Sequence, residues 1–210
     1  MEDVLIQDFN LKDYANNLRI RYSVDHFPYQ GIWVFSGAQG FGKTLLMIQV
    51  LREILKKYPD CIVCSNISLY GIPCVPYTGI EDFEKYNNGQ KGIIYVLDEI
   101  QTFFSSLESK NMPLSTLTVF SQNRKNRRVI LGTSQRFTRI SKAIREQCKY
   151  HIECKKPIFN FYRYRVLDAT LYDDNGNYIG KKTRFSLYVP NHSSFLSYST
   201  EEVVVNNGRV

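Results

Sequence analysis

No run of about 20 apolar residues occurs anywhere in the chain, so no segment is long enough to be read as a transmembrane helix. A secretory signal is missing too. The opening MEDVLIQDFNLKDYANN is acidic and mixed, with neither a basic n-region nor a long apolar h-region. Cysteine is sparse and odd in number, five in 210 residues, which argues against a disulfide framework and for a reduced, cytosolic setting. Cys61 and Cys64 form a CxxC, but a structural zinc site needs four ligands and only Cys74 lies nearby; His151 and Cys154 are far along the chain. CIVC sits in an apolar, strand-like run, and its thiols read as small buried side chains. Internal repeats and low-complexity tracts are absent. Acids are scarce in one region in particular. Between Phe120 and Arg165 thirteen Lys and Arg face only Glu146 and Glu153, an excess of +11 against +7 for the whole chain. A block of that kind suits a polyanionic partner or a solvated basic face.

What is present is organised around residues 31–44, GIWVFSGAQGFGKT. A short apolar run precedes Gly37, Ala38, Gln39, Gly40, Phe41, Gly42, Lys43 and Thr44, and the helix-like LLMIQVLREILKK comes after them. This is G-x-x-x-x-G-K-[ST] between strand and helix, the context expected of a phosphate-binding loop. Glycines let the backbone turn its N–H groups toward phosphate oxygens. The helix N-terminus adds its positive dipole end. Lys43 is placed to reach the β- and γ-phosphates, and the Thr44 hydroxyl to ligate Mg²⁺. The expected ligands are therefore ATP and Mg²⁺.

Apolar spacing predicts a helix over 43–57, closed by Pro59, and strands over 31–36, 61–67, 92–101 and 128–135. Residues 80–89 read as a short amphipathic helix or turn, and 113–126 as a helix feeding a basic turn. Residues 139–153 start helical and become strand-like. Ile93 to Leu97 form a continuous apolar run, as in strands buried on both faces. It ends in Asp98-Glu99, an acid pair at a strand tip where open α/β sheets bind ligands. Asp98 is assigned to the Mg²⁺ shell and Glu99 to the polarisation of an attacking water. The tip Thr133-Ser134-Gln135 ends the next buried strand and is expected at the same edge, where Gln135 is placed to sense the γ-phosphate or orient water, or simply to cap the helix after it. Lys43, Glu99 and Gln135 are thus the catalytic candidates, with Thr44 and Asp98 for the metal. A nucleotide kinase would share the loop, but it would need an acceptor pocket and a lid, and neither is identifiable. After Pro157 the period changes to two. FNFYRYRVLDATLYDD and YIGKKTRFSLYVP read as a hairpin about an Asn175-Gly176 turn. Its Phe159, Phe161, Tyr162, Arg163, Tyr164 and Arg165 either stack bases and contact phosphates or fill a sheet. The fold expected is α/β with a mostly parallel sheet and a C-terminal β-hairpin extension. Core and lead-in occupy 1–155, and the extension with its tail occupies 156–210, packed on the same domain.

Four pieces in order, GAQGFGKT, CSNISLYGIP, IIYVLDEIQ, and SQNRKNRRVILGTSQ with RISKAIRE after it, resemble the ATPase domain of the zonula occludens toxin-like proteins. These are phage ATPases of the FtsK–HerA superfamily, which includes viral genome-packaging ATPases. The resemblance spans about residues 31–150. It implies a RecA-like P-loop core and a homo-oligomeric ring, hexamer or pentamer, that moves DNA with ATP. It also implies an arginine reaching a neighbour's γ-phosphate. By motif position that finger is Arg124, with Arg127, Arg128 and Arg145 as rivals. Filamentous-phage members carry a transmembrane helix after the ATPase domain, and this chain has none. The expectation is therefore a packaging motor docked on capsid vertex proteins, located in the host cytoplasm or with the virion and not inserted in a membrane. The alternatives are a DNA export or transfer ATPase with a separate membrane partner, and a nucleotide switch that moves no DNA.

Overall fold

The computed structural model describes residues 26–104, 127–159, 161–173 and 175–190, together with Ala15 and Tyr198. The helix expected over 113–126, Arg124 within it, and most of the C-terminal tail lie outside the described residues.

Among the described residues eight strands form one sheet: β1 (Gly31–Ser36), β2 (Ile62–Ser65), β3 (Val75–Pro76), β4 (Ile93–Leu97), β5 (Arg128–Ser134), β6 (Cys148–Ile158), β7 (Phe161–Asp168) and β8 (Ser186–Tyr188). Their order is β3-β2-β4-β5-β1-β6-β7-β8. From β3 to β6 every pairing is parallel, and β7 and β8 add on antiparallel. The parallel strands are apolar because helices or loops cover both faces; all five residues of β4 and all seven of β5 are buried. One face packs Ile32, Val34, Tyr95, Leu97 and Ile130 under Phe137 and Ile144. The other packs Phe35, Val96, Leu131 and Ile152 against α1 (Lys43–Lys57).

The bounds of β1 and α1 are those the sequence predicts. Met47, Ile48, Leu51 and Ile54 of α1 recur at helical spacing and are all buried, each worth about 1.5–3 kcal/mol of burial. The helix closes with the Tyr58 N–H donating to the Ile54 carbonyl, and Lys56 and Lys57 lie in its last turn, where cations suit the dipole. The described residues also include two four-residue helices, α2 (Asp82–Lys85) and α3 (Lys142–Arg145), and short 3-10 turns.

The hairpin expected about Asn175-Gly176 forms in a single register: Tyr172 bridges Tyr178 beside the turn, and further out β7 pairs with β8 through Tyr162–Tyr188, Arg163–Leu187 and Tyr164–Ser186. All these pairs are symmetric about residue 175, so the Asn-Gly turn and the strand pairing agree, with regular ladder interrupted between the bridge and β8. Cysteine burial differs from expectation: Cys64 is buried, Cys61 half-buried and Cys74 exposed. β6 passes through residue 155 without a break. It pairs Glu153 with Ser36 at the end of β1 and then runs five residues further, about 16 Å at strand rise. Pro157 falls in this overhang, where among the described residues no strand lies on the β1 side to need a backbone N–H donor that proline lacks.

Candidate phosphate-binding site

β1, β4 and β5 point the same way, and β5 lies between the other two. Their C-terminal tips therefore bring Gly37, Asp98 and Gln135 to one edge of the sheet. The glycine-rich loop leaves β1 with the Gly37 N–H donating to the Ser134 carbonyl at 3.3 Å. It turns through Phe41 N–H to Ala38 O at 3.2 Å and enters α1 through Gly42, whose φ of 77° is left-handed. A side chain would fail here on two counts. Positive φ strains L residues, and a Cβ would fall 2.6 Å from Cε1 of Tyr162. Ala38, Gln39 and Gly40 are exposed, whereas Lys43 is buried and its Nζ donates across the loop to the Ala38 carbonyl at 3.2 Å.

The acid pair hangs from hydrogen bonds between elements. Thr44 Oγ1 donates to Asp98 Oδ1 at 3.0 Å, and Thr133 Oγ1 donates to the same oxygen at 2.6 Å. Asn66, at the tip of β2, fixes the Asp98 backbone from both sides: its Nδ2 donates to the carbonyl at 3.0 Å and its Oδ1 accepts the N–H at 2.8 Å. Glu99 takes a left-handed φ of 53°, its N–H donating to Thr133 Oγ1 at 2.9 Å. Strain of that kind in a non-glycine residue persists only where the surroundings over-determine it. The Gln101 amide donates to the Glu99 carboxylate, which fixes its direction. Thr44, in the first turn of α1, and Asp98, at the tip of β4, present side by side the hard oxygen donors that Mg²⁺ prefers, and so fit that ion.

Gln135 is exposed at the tip of β5, with its Oε1 accepting from Arg139 Nη1 at 2.5 Å. Thr133, two residues earlier, is the β5 residue that touches both acids. Thr133 stands in the Thr133-Ser134-Gln135 tip that the sequence brings to this edge, but without a role of its own; Asn66, within the CSNISLYGIP segment, and Gln101 are the members of the site that sequence reasoning passed over. Arg127 and Arg128 sit at the opposite end of β5. The Arg127 guanidinium faces His26 Nε2 at 2.7 Å and the Phe27 carbonyl, and Arg128 is buried.

A cavity of about 500 Å³ opens beside the loop, bounded by Gly37, Phe41, Gln135, Glu153, Arg165 and Tyr178. That is the size range of ligand sites. Burial pushes the Glu153 carboxyl up, but hydrogen bonds from Lys155 and Arg165 outweigh it and hold the group below the usual range. Beneath this cavity His151 Nε2 meets Ser36 Oγ at 2.5 Å and its Nδ1 meets the Tyr172 hydroxyl. Burial depresses the imidazole to about 4. Over the loop, the Tyr188 hydroxyl donates to the Gly42 carbonyl at 3.3 Å, and Tyr162 packs on Tyr188 at 5.4 Å. Burial, and then the Asp98 charge, raise the hydroxyl of Tyr198.

Residues 78–193 match the zonular occludens toxin (Zot) family. The match begins after the glycine-rich loop and takes in the Asp98-Glu99 tip and all of β4 to β8. No curated protein matches the chain significantly in sequence. The N-terminal domain of zonular occludens toxin from Neisseria meningitidis superposes with a TM-score of 0.61 at 16% identity, covering 81% of this chain and 99% of that one. The genome packaging NTPase B204 from Sulfolobus turreted icosahedral virus 2, in complex with ATP-gammaS, gives a TM-score of 0.55 at 14% identity, covering 77% and 98%. The DNA-packaging ATPase B204 from Sulfolobus Turreted Icosahedral Virus gives 0.52 at 14%, covering 77% and 98%. At these identities the likeness is one of fold, and the fold is that of a P-loop NTPase. The matched span is more than half of the chain, and the chain belongs to the zonular occludens toxin family.

Proposed function

We propose that this chain is an ATP hydrolase that moves DNA, acting as a ring in viral genome packaging. The observation that carries the reading is the meeting of the Thr44 hydroxyl with Asp98 Oδ1 at 3.0 Å, at the edge where the glycine-rich loop also lies. A loop for phosphates and an acid for the metal are thereby joined, with Glu99 next in the chain. The DNA-packaging ATPase B204 and the Neisseria toxin domain share the fold, which supports the same class of activity.

In this reading the loop N–H groups and Lys43 hold the phosphates. Thr44 and Asp98 hold Mg²⁺, which when bound neutralises charge on the β- and γ-oxygens. Glu99, aimed by Gln101, accepts a proton from the attacking water. Gln135 reports on the γ-phosphate, and Arg124 of one subunit completes its neighbour's site. The basic block from Phe120 to Arg165 supplies the electrostatic attraction for DNA. Capsid vertex proteins are the docking partners.

Phosphate release with and without DNA tests the reading, using the full chain, Lys43→Ala and Glu99→Gln. Lys43→Ala is expected to abolish turnover, and Glu99→Gln to bind nucleotide yet not hydrolyse it. DNA is expected to stimulate the wild-type rate. Turnover that DNA leaves unchanged points to a nucleotide switch, and undiminished turnover in Lys43→Ala removes the site assignment.

A further inference from the structure

The β6–β7 hairpin overhangs the nucleotide edge, and the structure divides its aromatic and basic residues into two sets. Tyr162 and Tyr164 turn inward onto Tyr188 at 5.4 and 5.6 Å, and Tyr162 lies against Gly42. Arg165 and Lys155 are both engaged by Glu153. These residues build the fold. Phe159, Phe161, Lys156 and Arg163 form the other set, at the tip.

Phe159 is 93% exposed and holds a left-handed φ of 48°. It heads the turn closed by the Ile158–Phe161 pair. A bulky aromatic residue in that conformation is strained, and its ring gains nothing from burial, so the fold does not account for its presence. Ile158 and Phe161 beside it are about half exposed. Arg163 donates through Nε and Nη2 to the Lys156 carbonyl at 3.3 and 3.1 Å, which fixes its guanidinium alongside the tip. No acid lies between Cys154 and Leu167, while residues 155–190 carry seven basic residues against three acidic ones.

We propose that this tip binds single-stranded nucleic acid, with Phe159 stacking on an unpaired base and Lys156 and Arg163 contacting the flanking phosphates. Stacking on an exposed ring beside cations is how strands without a partner are held. A two-fold contact with a second copy would instead set Lys156 and Arg163 against their own counterparts, which like charge opposes. The proposal deepens the DNA-motor reading and rests on it for the class of partner.

Fluorescence polarisation of a labelled single-stranded deoxyoligonucleotide, read beside binding of an ATP analogue to the same protein, tests it. Phe159→Ala is expected to weaken oligonucleotide binding about tenfold and leave nucleotide binding unchanged. Phe159→Asn suits positive φ, so it should lose oligonucleotide binding with a melting temperature no lower than wild type. Lys156→Ala should reduce the slope of log affinity against log salt by about 0.7. Equal oligonucleotide affinity in wild type and Phe159→Ala overturns the tip proposal and leaves the motor reading standing. A wild-type protein that binds nucleotide but no single-stranded oligonucleotide also overturns the tip proposal, while the motor reading is decided separately by DNA-stimulated phosphate release. Two other results overturn the proposal in favour of a different occupant. One is loss of self-association in Phe159→Ala by light scattering, and the other is loss of flotation with anionic phospholipid vesicles.

Discussion

The hydroxyl of Tyr188 reaches across 146 residues of chain to the carbonyl of Gly42, 3.3 Å away. That carbonyl also accepts the first helical hydrogen bond of α1, from the Leu46 N–H at 2.9 Å. The antiparallel strands are therefore fastened to the hinge of the phosphate loop, and β8 senses where α1 begins.

Tyr188→Phe is expected to weaken nucleotide binding several-fold while the protein remains folded. It removes one neutral hydrogen bond, worth about 1 kcal/mol, and keeps the ring that packs on Tyr162 and Tyr164. Titration with a fluorescent ATP analogue measures this. Affinity equal to wild type would mean that the contact is incidental to the loop.

Thr133 joins the two acids, and its hydroxyl cannot be replaced by a methyl without loss. Thr133→Val deprives Asp98 Oδ1 of its 2.6 Å donor and leaves the Glu99 N–H without its acceptor. An unsatisfied group of this kind costs about 1–3 kcal/mol. A lower urea midpoint and reduced Mg²⁺-dependent turnover are expected, with Thr133→Ser recovering most of both. Turnover in Thr133→Val that matches wild type would separate Thr133 from the chemistry.

His151 gives folding a dependence on acid. Its imidazole sits among Ser36, Phe137 and Tyr172, with Glu153 and Arg165 nearby, and burial depresses it to about 4. The unfolded chain takes up that proton near pH 6.5. Between those values the unfolded state binds more protons, so stability falls as pH falls. The contribution is fully present above about 6.5 and is lost progressively toward about 4, at a cost on the order of 3 kcal/mol. Urea unfolding of wild type and His151→Gln across that range checks it. The variant should show a shallower acid slope, and an identical slope would assign the effect to carboxylates.

Much of this site is legible in the sequence because its signals are local. The glycine spacing marks the loop, helical spacing carries α1 to Lys57, and the apolar run before Asp98-Glu99 marks a strand buried on both faces. Thr133 and Asn66 are different. Each is a short polar residue at a strand tip, and each meets Asp98 or its neighbour only because β2, β4 and β5 are adjacent and in register. The basic run around Arg127 and Arg128 opens the strand that the sequence reads over 128–135, and the parallel direction of that strand puts it opposite the loop. In the hairpin, alternation shows that a sheet exists but not which alternate residues face Gly42, and the turn at Phe159 lacks the glycine that marks such turns.

Gly42 and Gly40 offer a comparison that isolates the tyrosine contact. Both hold left-handed φ, 77° and 76°, so alanine at either position carries the same backbone strain of about 1–2 kcal/mol. A Cβ at Gly40 meets nothing within 4 Å, whereas one at Gly42 lies 2.6 Å from Cε1 of the Tyr162 ring and 3.3 Å from Tyr188 Oη. Gly42→Ala should therefore cost about 1–3 kcal/mol more than Gly40→Ala in chemical unfolding, through overpacking alone. Combining Gly42→Ala with Tyr162→Ala removes the ring it strikes. The double variant should lose less than the sum of the two single variants, with a coupling of about 1 kcal/mol or more. Strict additivity would place Tyr162 away from the loop and detach the C-terminal strands from the phosphate site.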